Sequence, residues 1–425
     1  MQTPSSRRDK ILFTKTESTR KKKGDPMVKF VSLFGQLLRH FPRSEFAALV
    51  KKHGAERASK GFSCWTQLVA MLFCQLARAD SLREICNGLA CCMGKLAHLG
   101  VGEGPKRSTL SYANAHRPAA LYEGLFWAAL ARFRAGPGVG VRKKKFRFKN
   151  KLQSFDSTTI SLCLALFPWA KFRRAKGGVK AHVLLDHDDY MPSFILITDA
   201  KQHDVKAARV LRLPTGSIIT VDRGYFDFAL FGRWTELGVF FVTRLKETAL
   251  YAVEAVQEPP QGGNIRSDEV IRLTGTKATA CPHLLRRVVV WDKEKEREIV
   301  LLSNHLDFGA TTIAAIYKER WEIELFFKAL KQNLKIKTFV GTSENALRIQ
   351  IWTALLALLL LRWMHYLSSS GWSLSNLASM LRMNLFTYRD LDDWLRDPYN
   401  TPPLMPGPTQ LSLPLPGFGQ ANSPP

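Results

Sequence analysis

A chain of 425 residues with 46% hydrophobic and 11% aromatic residues has material for two or three packed domains, which excludes a disordered or low-complexity protein. Lys and Arg outnumber Asp and Glu by 62 to 36, and the net charge of +26 implies a polyanionic partner, nucleic acid before an anionic membrane. The seven cysteines fall in no CxxC or Cys/His finger spacing, so neither a disulfide framework nor a zinc finger is expected; they read as buried free thiols of a reducing cytoplasm.

Residues 1–26 carry eight Lys or Arg against Asp9, Glu17 and Asp25, without periodicity, and read as a disordered basic arm; Met27 is a possible start. Most of the positive excess therefore belongs to the folded body. From 27 to 134 apolar residues recur at helical spacing (Val31, Phe34, Leu37; Leu68, Met71, Leu72, Leu76; Leu121, Leu125, Ala129), which predicts an all-helical domain, and the basic balance of the chain makes it a candidate DNA-binding domain. A Gly/Pro break at 135–140 ends it.

Three strands in meander order are expected next, from Phe146 to Leu162, Val179 to Leu185 and Ser193 to Thr198. A helix from His203 to Leu213, a strand to Asp222, a helix from Phe226 and a strand from Val239 follow. That order predicts an α/β fold with a ribonuclease H-like mixed sheet over 141–340. Residues 247–305 break the alternation and read as a β-rich insertion, and one long helix from Thr312 to Leu334 completes the core. Helices over 341–396 and a Pro-rich tail from about Pro398, unable to pack, close the chain. The run Ile351 to Leu361 is too short to span a membrane, and no secretory signal is visible.

The segment Tyr317 to Lys331 carries the most specific pattern. On a helical wheel at about 100° per residue, Tyr317, Arg320 and Lys331 fall within about 40° of Glu324, while Ile316, Ile323, Leu330 and Leu334 form an apolar flank. Glu319 and Glu322 lie on the far side, so Ala at either is expected to leave chemistry largely intact. An amphipathic surface helix with an Arg320–Glu324 pair explains the same spacing. Asp156 follows a strand in Ser154-Phe-Asp-Ser-Thr-Thr159, and Asp222 ends one in Ile218-Ile-Thr-Val-Asp222. Carboxylates among apolar neighbours need a compensating cation or hydrogen bonds, and each aspartate alone serves equally well as a turn cap. Two strand-borne Asp and one helix-borne Glu together suit a divalent cation. Hard carboxylate oxygens favour Mg2+ or Mn2+.

With these motifs the chain resembles bacterial insertion-sequence transposases of the DDE class, in the branch whose third motif reads Tyr-x2-Arg-x3-Glu-x6-Lys. Tyr317, Arg320, Glu324 and Lys331 fit without a gap; Phe155-Asp-Ser-Thr158 and Val221-Asp-Arg-Gly-Tyr225 resemble the first and second motifs. The resemblance spans about 27 to 395. It implies Asp156, Asp222 and Glu324 as catalytic ligands of two metal ions about 4 Å apart. It also implies cut-and-paste strand transfer, in which excision can pass through a hairpin, and a homodimer on double-stranded DNA that joins element ends to target.

Tyr317, Arg320 and Lys331 would then hold phosphates. Trp291 is a candidate for stacking on a flipped base in the β insertion, against the reading as a buried strand tryptophan. The run from Arg142, Lys143, Lys144 and Lys145 to Lys149 lies just upstream of Asp156 and is a candidate DNA contact. Lys51, Lys52, Arg57, Lys60, Lys106 and Arg107 are candidate phosphate contacts, with a solvated surface as the equal alternative. His182 shares a strand face with Lys180 and reads as a satisfied structural histidine or a neighbour of the metals. A nuclease that cuts without joining, and an inactive DNA-binding repressor, are the competing functions.

Overall fold

Six helices come first in the computed structural model, which describes residues 31–404 apart from 58, 60, 92–94, 137–144, 174–175 and 337. They are α1 (Leu33–Leu38), α2 (Arg43–His53), α3 (Cys64–Ala77), α4 (Leu82–Ala90), α5 (Arg107–His116) and α6 (Ala120–Ala135). Serine side chains cap the N-termini of α1, α3 and α4, as their local sequences dictate. The basic arm, Lys60, Arg142, Lys143, Lys144 and the chain beyond 404 lie outside the described residues.

The α/β part runs β1 (Leu152–Leu162), β2 (Lys171–Arg173), β3 (Lys176–Asp186), β4 (Pro192–Asp199), α7 (Asp204–Arg209), β5 (Ile218–Val221), α8 (Phe228–Glu236) and β6 (Phe240–Arg244). Four strands follow, β7 (Tyr251–Gln257), β8 (Ile265–Leu273), β9 (Leu284–Asp292) and β10 (Arg297–Ser303). The last helices are α9 (Ala310–Glu319), α10 (Trp321–Asn333), α11 (Glu344–Leu367), α12 (Leu374–Asn384) and α13 (Leu391–Arg396).

The meander β1, β3, β4 and the parallel strands β1, β5 and β6 make the ribonuclease H-like mixed sheet. The insertion is not a separate layer. β10 pairs antiparallel with β6, so β10, β9, β8 and β7 lengthen the same ten-stranded sheet. A buried ion pair fastens this extension: Arg286 grips Asp268 through two 2.6 Å bonds and also donates to the Phe308 carbonyl at 2.8 Å, ahead of α9. Removing one partner strands a buried charge. Arg286→Ala is expected to cost about 3–5 kcal/mol of stability by thermal or denaturant melting. Replacing Arg286 and Asp268 together by apolar residues should recover most of that loss, and a single variant with an unchanged melt would refute the role.

Three cores divide the molecule. One sheet face carries α7 and α8 over Phe155, Val221, Phe231 and Phe241. On the other face α9 packs Ile313 and Ile316 onto Leu152, Ile218 and Val242. Beside it, α10 packs Ile323, Phe326, Phe327 and Leu330 into a large helical core that reaches Ile160, Val183 and Ile195 of the sheet. That core unites the helices before the sheet with those after it, which the sequence reading had kept apart. The 24-residue α11 runs through its middle, 83% of its apolar stretch buried; its Gln350 side chain is met by the Val340 N–H and by the Lys335 and Thr338 carbonyls.

Three expectations on element bounds are corrected. The first strand starts at Leu152, not Phe146, because neighbours β3 and β5 pair only from Gln153 and Leu152 onward. Residues 146–148 instead bend so that Phe146 and Phe148 stack on each other and Phe148 on Phe308. The single helix from Thr312 to Leu334 is two. At Arg320 the amide bonds run to the third preceding carbonyl (Arg320 to Tyr317, 3.1 Å; Ile323 to Arg320, 3.2 Å), a tightened turn that lets α9 and α10 enter different cores. The tail read from Pro398 begins packed: Thr401 is buried and the Leu404 N–H bonds to the Tyr388 carbonyl.

Candidate active site

Strand register brings the two aspartates together. β1 and β5 run parallel with Phe155 opposite Val221, so the next residues, Asp156 and Asp222, stand side by side. Asp222 lies just past the end of β5; Asp156 lies not after a strand, as its sequence suggests, but within β1, where it pairs with Val183 of β3. Asp156 lies on the β1 face that α9 and α10 cover. Its Oδ1 accepts the Ser157 N–H at 2.8 Å, and its Oδ2 lies 3.3 Å from Arg320 Nη1. The same Nη1 is 3.2 Å from Glu324 Oε1. Arg320 thus spans two carboxylates, and its guanidinium lies 5.9 Å from the Tyr317 ring centre.

Burial pushes the Asp156 carboxyl up to about 7; the charges of Asp222 and Glu324 add to this, while the Ser157 N–H and Arg320 oppose it. A carboxyl so placed gains from any cation that replaces its lost water.

Asp222 also caps the turn that follows, its Oδ1 accepting the Gly224 N–H at 2.5 Å, and its carbonyl takes the Thr243 hydroxyl at 3.2 Å. The capping and site readings of this residue therefore coexist. A Cβ on Gly224 would lie 2.8 Å from that Oδ1. Gly224→Ala is expected to turn the Asp222 carboxylate and lower cleavage about tenfold or more with little change in melting temperature; equal activity would remove this constraint.

Where the other sequence candidates fall is uneven. Lys331 stands in the last turn of α10, beyond Glu324 on the same helix. Lys145 is held by the buried Glu319 at the end of α9, whose other oxygen faces His187 at 4.0 Å. Glu319 is thus an internal anchor, so alanine there, expected from the sequence to leave chemistry largely intact, is expected from its burial to lower stability. Trp291 is half-buried on β9, its backbone N–H bonded to the Asn264 carbonyl at 2.7 Å and the Arg266 guanidinium 5.6 Å from its ring, so its contacts shown here are with β8 and the residue before it. His182 is buried and bonded to Thr198 at 2.9 Å, its Nδ1 lies 3.7 Å from Asp204, and burial pulls it down to about 4. Lys51, Lys52, Arg57, Lys106 and Arg107 are exposed on the helical part.

Sequence reasoning missed a support behind Asp156. The Ser157 hydroxyl donates to Asp204 at 2.7 Å, and Lys180 holds Asp204 at 3.0 and 3.2 Å. Lys180 and Asp204 lie far apart in sequence, so only the β1–β3 pairing that sets Thr159 opposite Lys180 reveals the link.

The donor set is chemically suited to a hard divalent cation, being all carboxylate and partly desolvated. Its present spacing is not: among the described residues no group of three or more His, Cys, Asp or Glu side chains is placed to hold a metal. Arg320 stands where a shared cation would be shielded by Asp156 and Glu324.

A family model described as "Transposase DDE domain" matches residues 147–360, the span that contains all three acids. The chain belongs to the DDE transposases. Membership makes this transposase an enzyme of an insertion sequence and carries dependence on a divalent metal in general. A second model, "Domain of unknown function (DUF4372)", matches residues 31–102 of the transposase. A Sinorhizobium fredii protein named as a transposase, y4zB, is 32% identical over 68% of this chain and 79% of its own. A Geobacillus stearothermophilus protein named as transposase for insertion sequence element IS5377 is 31% identical over 52% and 59% of the two chains. A Synechocystis protein named as transposase for insertion sequence element IS4SA is 26% identical over 60% and 73%.

Proposed function

We propose that Asp156, Asp222 and Glu324 are the metal-binding acids of a cut-and-paste reaction at the terminal inverted repeats of the insertion sequence. The observation that carries this reading is the pairing of Phe155 with Val221, which sets Asp156 beside Asp222, together with the Arg320 bridge from Asp156 to Glu324. Two Mg2+ or Mn2+ ions fit the chemistry of the donors; when bound, divalent metal activates the attacking oxygen and steadies the leaving 3′ oxygen.

The protein's own groups do the rest. Asp156, once ionised, presents its oxygens from within β1 and Asp222 from the end of β5, and Glu324 supplies its own from α10. Arg320 and Lys331 take the phosphates flanking the scissile bond, with Tyr317 stacked against the arginine; Arg320 does so only by leaving its two carboxylates. The basic run from Arg142 through Lys145 guides the duplex toward the cleft. Two ends must meet for coordinated transfer, so a homodimer assembles on DNA, in the cytoplasm.

The test is incubation of the purified protein, Mg2+ and duplex DNA carrying the repeats that flank its own coding element, followed by mapping of cut and joined ends. Strand-transfer joints support the reading. Cuts without joints would make the protein a nuclease, and binding without metal-dependent nicking would make it a repressor.

A further inference from the structure

The ten-residue α5 is rooted on one side and bare on the other. Its inner face is fixed: Leu110, Ala113 and Asn114 are buried, the Asn114 side chain accepts from Gln67 at 2.8 Å, and Asn345 donates to the Asn114 carbonyl at 2.9 Å. Its outer face is Arg107, Ser108, Ser111, Tyr112 and His116, all exposed. Tyr112 is 67% exposed. It is also ordered, because His116 stacks on it with ring centres 4.0 Å apart and donates from Nδ1 to the Tyr112 carbonyl at 2.9 Å. That bond places a proton on Nδ1 and leaves Nε2 uncommitted to the Tyr112 carbonyl.

The charge around this face is mostly positive. α5 contains no Asp or Glu, and its first turn has no side-chain cap. Arg83 and Asn87 of α4 join Lys106 and Arg107 in lining an open cleft at its N-terminal end, with Glu103 the one carboxylate of that lining. Glu84, nearby on α4, is spent on the Asp80 N–H and the Ser81 hydroxyl. A helix of about 10–12 Å diameter fits the duplex major groove, which is about 12 Å wide. Hydroxyl and phenol groups on its face can both donate to and accept from base edges and the imidazole can offer Nε2, while flanking cations and the helix N-terminus meet phosphate.

We propose that the outer face of α5 is the element that reads duplex DNA, Ser108, Ser111, Tyr112 and His116 meeting base edges in the major groove while Arg83, Lys106 and Arg107 hold the backbone. This rests on the reading that the protein recognises its terminal repeats, and it gives a DNA-docking task to α4, within the matched domain of unknown function.

The test uses the full chain and fluorescence anisotropy with two duplexes: one carrying the terminal repeats flanking its own coding element, the other a scrambled sequence of equal length. The combined variant Ser111→Ala, Tyr112→Ala, His116→Ala should lose at least about tenfold of its preference for the repeat, with affinity for the scrambled duplex held within about threefold. The variant Arg83→Ala, Lys106→Ala, Arg107→Ala should weaken both and flatten the slope of log affinity on log salt by about 2 to 3. A folded face variant, checked by circular dichroism, that keeps its preference overturns the assignment. So does one whose DNA binding is intact but whose sedimentation shows lost self-association, which would make the face a contact between copies. Wild-type protein with no preference for the repeat would instead defeat the terminal-repeat reading itself.

Discussion

Alanine at Asp156, Asp222 or Glu324 is expected to lower metal-dependent strand cleavage by about a thousandfold or more in each case. Loss of a metal ligand removes several kcal/mol of charge stabilisation, and about 4 kcal/mol corresponds to three orders of magnitude in rate. The three should agree because none can substitute for another: two issue from adjacent parallel strands and one from α10. Glu322→Ala is the control, expected within about twofold of wild type. Glu319→Ala is not a control, since it releases Lys145 and leaves His187 beside a cavity; it should lower stability as well as activity. Cleavage mapped on end-containing duplex decides the matter, and any of the three acids replaced with activity within tenfold of wild type would remove it from the site.

Arg320→Gln should do two opposite things. Without DNA it is expected to tighten Mn2+ binding about tenfold, because the guanidinium now spanning Asp156 and Glu324 competes for the same oxygens. With DNA it should weaken binding of the cut end, because a charged fork for phosphate is gone. Mn2+ titrations followed by electron paramagnetic resonance separate these effects. Wild-type affinity should also rise with pH until about 7 and then level, since Asp156 must shed a proton held up to that pH before it can ligate. Asp156→Asn should flatten that slope. No tightening in Arg320→Gln would mean the arginine does not compete with metal.

The α/β order and the apolar flank of the catalytic helix were legible because periodicity records burial directly: Ile316, Ile323, Leu330 and Leu334 are all buried as the wheel predicts. The wheel also set Glu324 apart from Glu319 and Glu322, although Glu319 ends α9 before the turn at Arg320 and one wheel does not carry across that turn. What periodicity cannot record is which core each half of a helix enters, so the turn at Arg320 went unseen. The same limit hid Glu319, which the wheel set apart from Glu324 but could not set against Lys145, distant in sequence. The insertion read correctly as strands, yet its union with β6 depends on Leu301 to Ser303 meeting Arg244 to Val242, a register no local pattern encodes.

The tightened turn at Arg320 also decides how the site tolerates error. Asp156 and Asp222 are referenced to the sheet, whereas Glu324 is referenced to the helical core through Ile323 and Phe326. The gap between the acids therefore depends on how the helical core seats on Ile160, Val183 and Ile195 of the sheet. Small repacking anywhere along α10 or under α11 is transmitted to that gap undiminished, while the same change under α7 or α8 moves both aspartates together. Loss-of-function substitutions should thus be denser in the helical core than a map of distance to the acids would predict.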